Sequence, residues 1–177
     1  MTPRTIAAFL VFAVAALLPF AAQARIPDGW PFLEFNAAVR LAQQQRKPMF
    51  VYFAFATCQY CLHLNQNTFA FEALRQRYSA NYVLAYFDVR ANREDAITLP
   101  GKPELSRGEA MKLLNVRAVP AWMFVDPDGK VILMRRGSRT GVEAFMRYDA
   151  YVASGAWRQA SFEEFLAQRG LREERVE

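Results

Sequence analysis

The chain has 177 residues, of which 53% are apolar and 22% are charged, so its composition is that of a folded globular protein and not of a disordered or fibrous one. Its 22 Lys and Arg against 17 Asp and Glu give a formal charge of +5, and no basic run is longer than Arg135–Arg136. A nucleic-acid-binding protein concentrates its basic residues on one face or arm, so we expect no nucleic-acid partner. Two cysteines and one histidine exclude a four-cysteine zinc module and a disulfide-stapled miniprotein.

Residues 1–24 have the pattern of a secretory signal peptide. Arg4 provides the positive charge, residues 6–20 are apolar, and Ala22-Gln23-Ala24 offers a small-x-small cleavage site. The apolar run is shorter than the roughly 20 residues that a membrane-spanning helix requires. We therefore expect cleavage near Ala24, export, and a mature protein that is one domain over residues 25–177.

The first half of the mature chain alternates helices and strands. In chain order, the sequence predicts a helix, a strand, a second helix and a second strand, over residues 31–46, 49–55, 58–78 and 83–89. Pro48 ends the first helix. The first strand is apolar throughout, which is typical of a strand buried on both faces of a sheet. Thr57 is positioned to cap the second helix, which should kink near Asn67–Thr68.

Local motifs organise the second half. Two prolines and a glycine, Pro100, Gly101 and Pro103, predict a surface loop over residues 90–105. Ser106, Thr140 and Ser161 each precede a glutamate by three residues, a capping box that predicts helices ending near Leu114, Ala153 and Gly170. Asp126–Gly129 is a hairpin turn between strands over residues 121–125 and 130–135. Solvated positions are expected for Arg135, Arg136, Arg139 and the charged tail, residues 171–177.

These elements predict one fold class. A strand–helix–strand unit favours parallel pairing, whereas the hairpin must be antiparallel. The sequence therefore predicts an α/β protein with a mixed central sheet, helices on both faces, and an extra C-terminal helix. Trp30 and Trp157 are expected to pack the terminal extensions onto this domain.

Both cysteines lie in one tetrapeptide, Cys58-Gln59-Tyr60-Cys61, directly after a buried strand. A disulfide persists outside the cytosol, but one that closes so small a loop removes little chain entropy, so chemistry explains the pair better than stability. The helix amino terminus should lower the pKa of the Cys58 thiol, and the thiolate is the form that attacks a disulfide. Cys61 lies one turn further on the same side. We predict a redox-active disulfide with Cys58 as nucleophile and Cys61 as resolving thiol.

Metal binding is the alternative for the same two sulfurs. Two thiolates could hold copper(I), as in a copper chaperone, whereas zinc requires four ligands and only His63 is near. His63 should point away from Cys61, because it is two residues further along a helix. We expect no metal and no other cofactor. Tyr60 should be exposed and available to contact substrate.

Several segments share a known arrangement: the strands over residues 49–55 and 83–89, the motif Thr57–Cys61, the pair Val119–Pro120, and the hairpin Asp126–Gly129. Together they resemble a thioredoxin-fold protein over nearly all of residues 31–153. The resemblance implies a thioredoxin-like three-layer sandwich and protein-disulfide oxidoreductase activity. It also implies that the bond before Pro120 is cis, that Pro120 packs against the active-site sulfurs, and that Val119 contacts the bound peptide.

The Lys-Pro end of the first helix and the C-terminal helical extension resemble exported thioredoxin-like proteins of the SoxW type. This implies a periplasmic protein that reduces protein disulfides and is recharged by a membrane or soluble thiol donor. We expect it to be a monomer. An oxidant or isomerase for secreted proteins is the alternative. Two departures from thioredoxin are Tyr52, where a buried aspartate is usual, and Thr57, where tryptophan is usual.

Overall fold

The computed structural model describes residues 26–173, so the predicted signal peptide lies outside the described residues. The strands are β1 (Leu33–Glu34), β2 (Met49–Ala54), β3 (Val83–Asp88), β4 (Ala96–Ile97), β5 (Leu105–Ser106), β6 (Ala121–Val125) and β7 (Val131–Arg136). The helices are α1 (Phe35–Gln45), α2 (Gln59–Leu64), α3 (Glu72–Asn81), α4 (Arg107–Leu113), α5 (Val142–Ala153) and α6 (Phe162–Ala167). A π-helical turn, Asn65–Phe69, follows α2, and a short 3-10 helix, Ala156–Arg158, precedes α6.

The central sheet has the strand order β1-β3-β2-β6-β7. The first three strands are parallel, whereas β6 runs antiparallel to β2 and β7 antiparallel to β6. This confirms the predicted mixed sheet. Every residue of β2 is buried, as its unbroken apolar sequence predicts for a central strand covered on both faces.

Helices cover both faces of the sheet and give three layers. Residues of α2, α3, α5 and α6 pack with Phe50, Tyr52 and Phe124 in one core, which we call the cysteine-side core because it contains both cysteines. Residues of α1 and α4 pack with Val51 and Met123 in a second core on the opposite face. The predicted extra C-terminal helix, α6, is present and packs in the cysteine-side core. Within residues 26–173, no helix has the length and hydrophobicity needed to cross a membrane.

The first predicted helix begins later than the sequence suggests. Leu33 and Glu34 form β1, which pairs with Ala85 and Tyr86 of β3, and α1 begins at Phe35. The Glu34 carboxylate accepts a hydrogen bond from the Ala37 N–H at 3.2 Å and caps the helix. This edge strand is set by a partner about fifty residues away, so local periodicity could not reveal it. The predicted surface loop likewise contains a small hairpin, formed by β4 and β5.

Two of the three predicted capping boxes are confirmed. The Ser106 and Ser161 hydroxyls each accept the N–H of the glutamate three residues later, and each glutamate accepts the serine N–H. The prediction at Thr140 is wrong, because α5 is capped by Gly141 without a side-chain bond. The buried Thr140 hydroxyl donates instead to the Gly137 carbonyl at 3.2 Å.

The predicted solvation of Arg136, Arg139 and residues 171–172 is confirmed, whereas that of Arg135 and Glu173 is wrong. Arg135 forms ion pairs with Glu163 at 2.9 Å and Glu173 at 2.5 Å, and its guanidinium lies over the Phe162 ring. Arg147 donates to the Arg172 carbonyl at 3.2 Å. These contacts attach the residues after α6 to the sheet and to α5.

Strand register brings several loops to one end of the sheet. Phe53, near the carboxyl end of β2, pairs with Ala121 at the amino end of β6, and Ala121 pairs with Arg136 at the carboxyl end of β7. Ala54 pairs with Asp88 at the carboxyl end of β3. The segments that leave or enter these strands therefore meet at this end, which we call the cysteine end.

Candidate active site

Cys58 and Cys61 form a disulfide at the amino terminus of α2, with 5.2 Å between their Cα atoms. Cys58 itself is the N-cap residue of α2, so the prediction that Thr57 caps this helix is wrong. The Cys58 Sγ accepts a hydrogen bond from the Cys61 N–H at 3.1 Å, which is the bond that a capping hydroxyl would otherwise accept. An N–H directed at Sγ favours negative charge on that sulfur.

The two sulfurs belong to a largely buried site with an exposed rim. Cys58 is 6% exposed and Cys61 is 3% exposed, whereas Tyr60 between them is 70% exposed. Cys58 lies one turn nearer the open end of the helix than Cys61. A partner that approaches the cysteine end therefore meets Tyr60 and Cys58 before it reaches Cys61.

The peptide bond between Val119 and Pro120 is cis. Pro120 is buried, and its carbonyl accepts a hydrogen bond from the Gly137 N–H at 3.1 Å. Val119 is half-buried and packs against the cysteine-side core. The segment lies at the cysteine end, because Ala121 directly follows it. The structure thus brings all five predicted site residues to the same end of the sheet.

Tyr52 lies on β2 in the cysteine-side core and is fully buried. Its hydroxyl donates to the Asn65 Oδ1 at 2.9 Å, and Asn65 is four residues after Cys61, on the same side of the helical segment. Burial raises the pKa of the Tyr52 phenol well above its usual range, and the neighbouring Tyr86 adds to this effect. Tyr52 therefore stays neutral at physiological pH.

His63 is exposed on α2, and both its ring Nδ1 and its carbonyl contact the Asn67 amide nitrogen, at 3.3 and 2.8 Å. Within residues 26–173, no three His, Cys, Asp or Glu side chains form a group that could hold a metal ion.

Two contacts near the site could not be read from the sequence. The Trp30 indole N–H donates to the Phe69 carbonyl at 2.7 Å, across 39 residues, and so fixes the end of the π-helical turn. Its ring lies in the cysteine-side core, stacked on Phe32. The Arg90 guanidinium lies 3.7 Å from the centroid of the Phe55 ring, three residues before Cys58. The sequence indicates that Trp30 packs onto the domain, but no sequence pattern indicates the contact between Arg90 and Phe55.

A family model described as a thioredoxin-like domain matches residues 35–152, which is more than half of the chain. The chain belongs to the thioredoxin-like domain family. Together with the disulfide between Cys58 and Cys61, this membership identifies it as a thiol:disulfide oxidoreductase. Among curated proteins, none matches the sequence.

Solved structures share the fold at low sequence identity. A thioredoxin-fold protein from Helicobacter pylori is 18% identical, with a TM-score of 0.59 over 71% of this chain and 80% of that chain. A thioredoxin from Thermus thermophilus is 20% identical, with a TM-score of 0.56 over 70% and 86%. A putative disulphide-isomerase from Bacteroides thetaiotaomicron is 20% identical, with a TM-score of 0.54 over 73% and 96%. These similarities confirm the thioredoxin-like fold, whereas the SoxW type stays a prediction.

Proposed function

We propose that this thioredoxin-like protein is exported to the periplasm and reduces disulfides in partner proteins, with Cys58 as the attacking thiolate. The observation that carries the proposal is the hydrogen bond from the Cys61 N–H to the Cys58 Sγ, at the start of α2. This contact favours the thiolate at Cys58, while Cys61 is more deeply buried and lies within the helix. Tyr60, Val119 and Pro120 are the proposed substrate contacts.

The chemistry is an exchange of disulfide bonds. The Cys58 thiolate attacks one sulfur of the partner disulfide, and the other partner sulfur leaves as a thiolate and takes a proton. Cys61 then loses its proton and attacks the Cys58 Sγ, which releases the second partner sulfur. Two electrons and two protons pass from the protein to the partner, and Cys58 and Cys61 end as a disulfide. A membrane or soluble thiol donor restores the dithiol.

The direction of transfer is proposed from the limited stabilisation available to the thiolate. A strong oxidant such as DsbA owes its high potential to a stabilised reduced form. Here the two residues between the cysteines, Gln59 and Tyr60, are uncharged, and His63 contacts Asn67. One N–H and the helix terminus stabilise the thiolate only moderately, which favours a reducing potential.

Equilibration of the protein with a glutathione redox buffer measures this potential. We expect a value below about −220 mV, in the range of reducing members of the fold. A potential near or above about −150 mV would refute the reductant direction and favour the oxidant or isomerase.

Trapping of partners tests the roles of the two cysteines. In Cys61→Ser, the resolving sulfur is replaced at nearly equal volume, so the mixed disulfide on Cys58 should persist and be released by dithiothreitol. The matched control, Cys58→Ser, should form no adduct, because the remaining thiol is buried within α2. Equal adducts from both variants on a non-reducing gel would overturn the assignment. Amino-terminal sequencing of the protein from the periplasmic fraction tests cleavage near Ala24.

A further inference from the structure

A groove of about 190 Å³ lies beside the cis-proline segment at the cysteine end. One wall is the loop over residues 115–118, which leads directly into Val119, and the other wall is the end of β7, Met134–Arg136. Ala121 also lines the groove, and its partner across the ladder is Arg136. A peptide bound against Val119 would therefore extend along this groove; we call it the basic groove.

Two exposed arginines give the groove its charge. The Arg117 Nε donates to the Asn115 Oδ1 at 2.6 Å, which holds the guanidinium over the loop. Arg136 extends from the last position of β7. Within residues 26–173, neither arginine forms an ion pair, and no acidic residue lines the groove.

Two carboxylates at the end of β7 are already engaged by another arginine. Glu163 and Glu173 bind Arg135, whose guanidinium lies over Phe162 on the face of the cysteine-side core. Successive residues of a strand point to opposite faces, so Arg136 points away from that cluster. Asp88 lies at the end of β3, three strands from β7, which is about 14 Å at the usual strand spacing. This distance exceeds the screening length in physiological salt, so the Asp88 charge has little effect on the groove.

We propose that the basic groove binds acidic side chains that lie within a few residues of the target cysteine of the partner protein. The inference rests on the proposed function and names the substrate class: disulfides flanked by aspartate or glutamate. Opposite charges raise the rate of encounter and hold the peptide in register with Val119. Two exposed ion pairs correspond to about a 2- to 30-fold preference for an acidic over a neutral peptide at low ionic strength.

The test compares two disulfide peptides that differ only in three flanking residues, all glutamate or all glutamine. The second-order rate of exchange is measured by stopped flow in both directions, with the reduced protein on the disulfide and the oxidised protein on the dithiol. We expect the acidic peptide to react about 2- to 30-fold faster, and the preference to shrink in 0.5 M salt. The double substitution R117Q/R136Q should remove most of the preference.

The matched control is R40Q/R158Q, which removes the same net charge from two exposed arginines of α1 and of the short 3-10 helix. This variant should keep the preference. Equal rates for the two peptides with the wild-type protein, or an equal loss in the control, would overturn the inference.

Failure of the proposed function has a different signature, namely no exchange with the neutral peptide in either direction. Binding of the fluorescently labelled peptides to the oxidised protein, followed by anisotropy, then tests the groove alone. Tighter binding of the acidic peptide that is lost in R117Q/R136Q supports the groove, and equal binding of both peptides refutes it.

Discussion

The substitution Tyr52→Phe tests the role of the buried phenol beside the active-site helix. The change removes the hydrogen bond to the Asn65 Oδ1 and keeps the ring, which packs against Phe69 with centroids 5.1 Å apart. A lost hydrogen bond of this kind costs about 1 kcal/mol, and toward 3 kcal/mol where the partner stays buried and unsatisfied. Asn65 is half-buried, so we expect the lower end of this range.

For a domain of this size, such a loss lowers Tm by about 2–4 °C. Denaturant and thermal unfolding followed by circular dichroism measure it. The matched control is Tyr60→Phe, in which the phenol is exposed and the stability should not change. Equal stability of Tyr52→Phe and the wild type would contradict a net contribution from the hydrogen bond.

The same variant tests whether Tyr52 takes part in proton transfer. Because burial raises the pKa of Tyr52, the phenol stays protonated between pH 6 and 9 and cannot accept the Cys61 proton. The rate of peptide-disulfide reduction should therefore have the same pH profile in Tyr52→Phe and in the wild type. A shifted profile, or a rate more than about tenfold lower in a folded variant, would refute this reasoning and assign the phenol a proton-transfer role.

Three other substitutions have defined outcomes. Tyr52→Asp should speed resolution of the mixed disulfide near pH 7 by at least about tenfold, because a carboxylate can accept the proton of the resolving thiol. The buried charge should also lower stability. An unchanged rate in folded protein would mean that water already accepts this proton efficiently. Trp30→Phe should lower the unfolding free energy by about 1–3 kcal/mol, since it removes the hydrogen bond to the buried Phe69 carbonyl. The control Trp157→Phe, at a half-exposed site, should lower the unfolding free energy by less, and equal losses would argue against a contribution from the indole hydrogen bond. Glu164→Gln should reduce the loss of Tm on acidification. Hydrogen bonds from the capping-box serine lower the pKa of the Glu164 carboxyl, so its contribution to stability is present above the unfolded-state pKa and is lost as the pH falls through the folded-state pKa. The same acid dependence of Tm in the variant and the wild type would contradict this prediction.

The sequence predicts those parts of the fold that depend on local chemistry. The continuous apolar runs of β2 and β3 identify central strands, because only a sheet covered on both faces buries such a segment completely. The capping boxes at Ser106 and Ser161 identify helix starts, since donor and acceptor are three residues apart. The single helix predicted over residues 58–78 is wrong in its continuity, because the π-helical turn ends at Phe69 and α3 begins only after the extended residue Phe71.

What the sequence does not predict depends on partners far along the chain. Strand β1 exists because β3 lies beside it, and two residues carry no periodicity of their own. Thr140 has the local pattern of a cap, but it is buried and its carbonyl accepts a hydrogen bond from the Thr68 hydroxyl, 72 residues earlier, at 2.7 Å.

The same distinction holds at the site. The motif Cys58–Cys61 reveals the chemistry because its spacing is local. Two other contacts result from tertiary packing: the hydrogen bond from the Trp30 indole to the Phe69 carbonyl, and the contact of the Arg90 guanidinium with the Phe55 ring. The groove beside Val119 likewise requires β7 to lie next to β6, so its charge becomes visible only when the sheet is assembled.

The cysteine-side core draws on residues near both ends of the described chain, and this has a consequence for the timing of folding. Trp30 belongs to it near one end, and Phe162, Phe165 and Leu166 belong to it near the other. Strand β2 must also pair with β6, which lies about seventy residues later in the chain. Contacts between such distant residues slow folding, because loop closure precedes any gain from packing. A chain that still lacks α6 has an open core, so we expect folding to be completed only after α6 has been synthesised. In the exported protein that we propose, this leaves time for a precursor to reach the membrane unfolded.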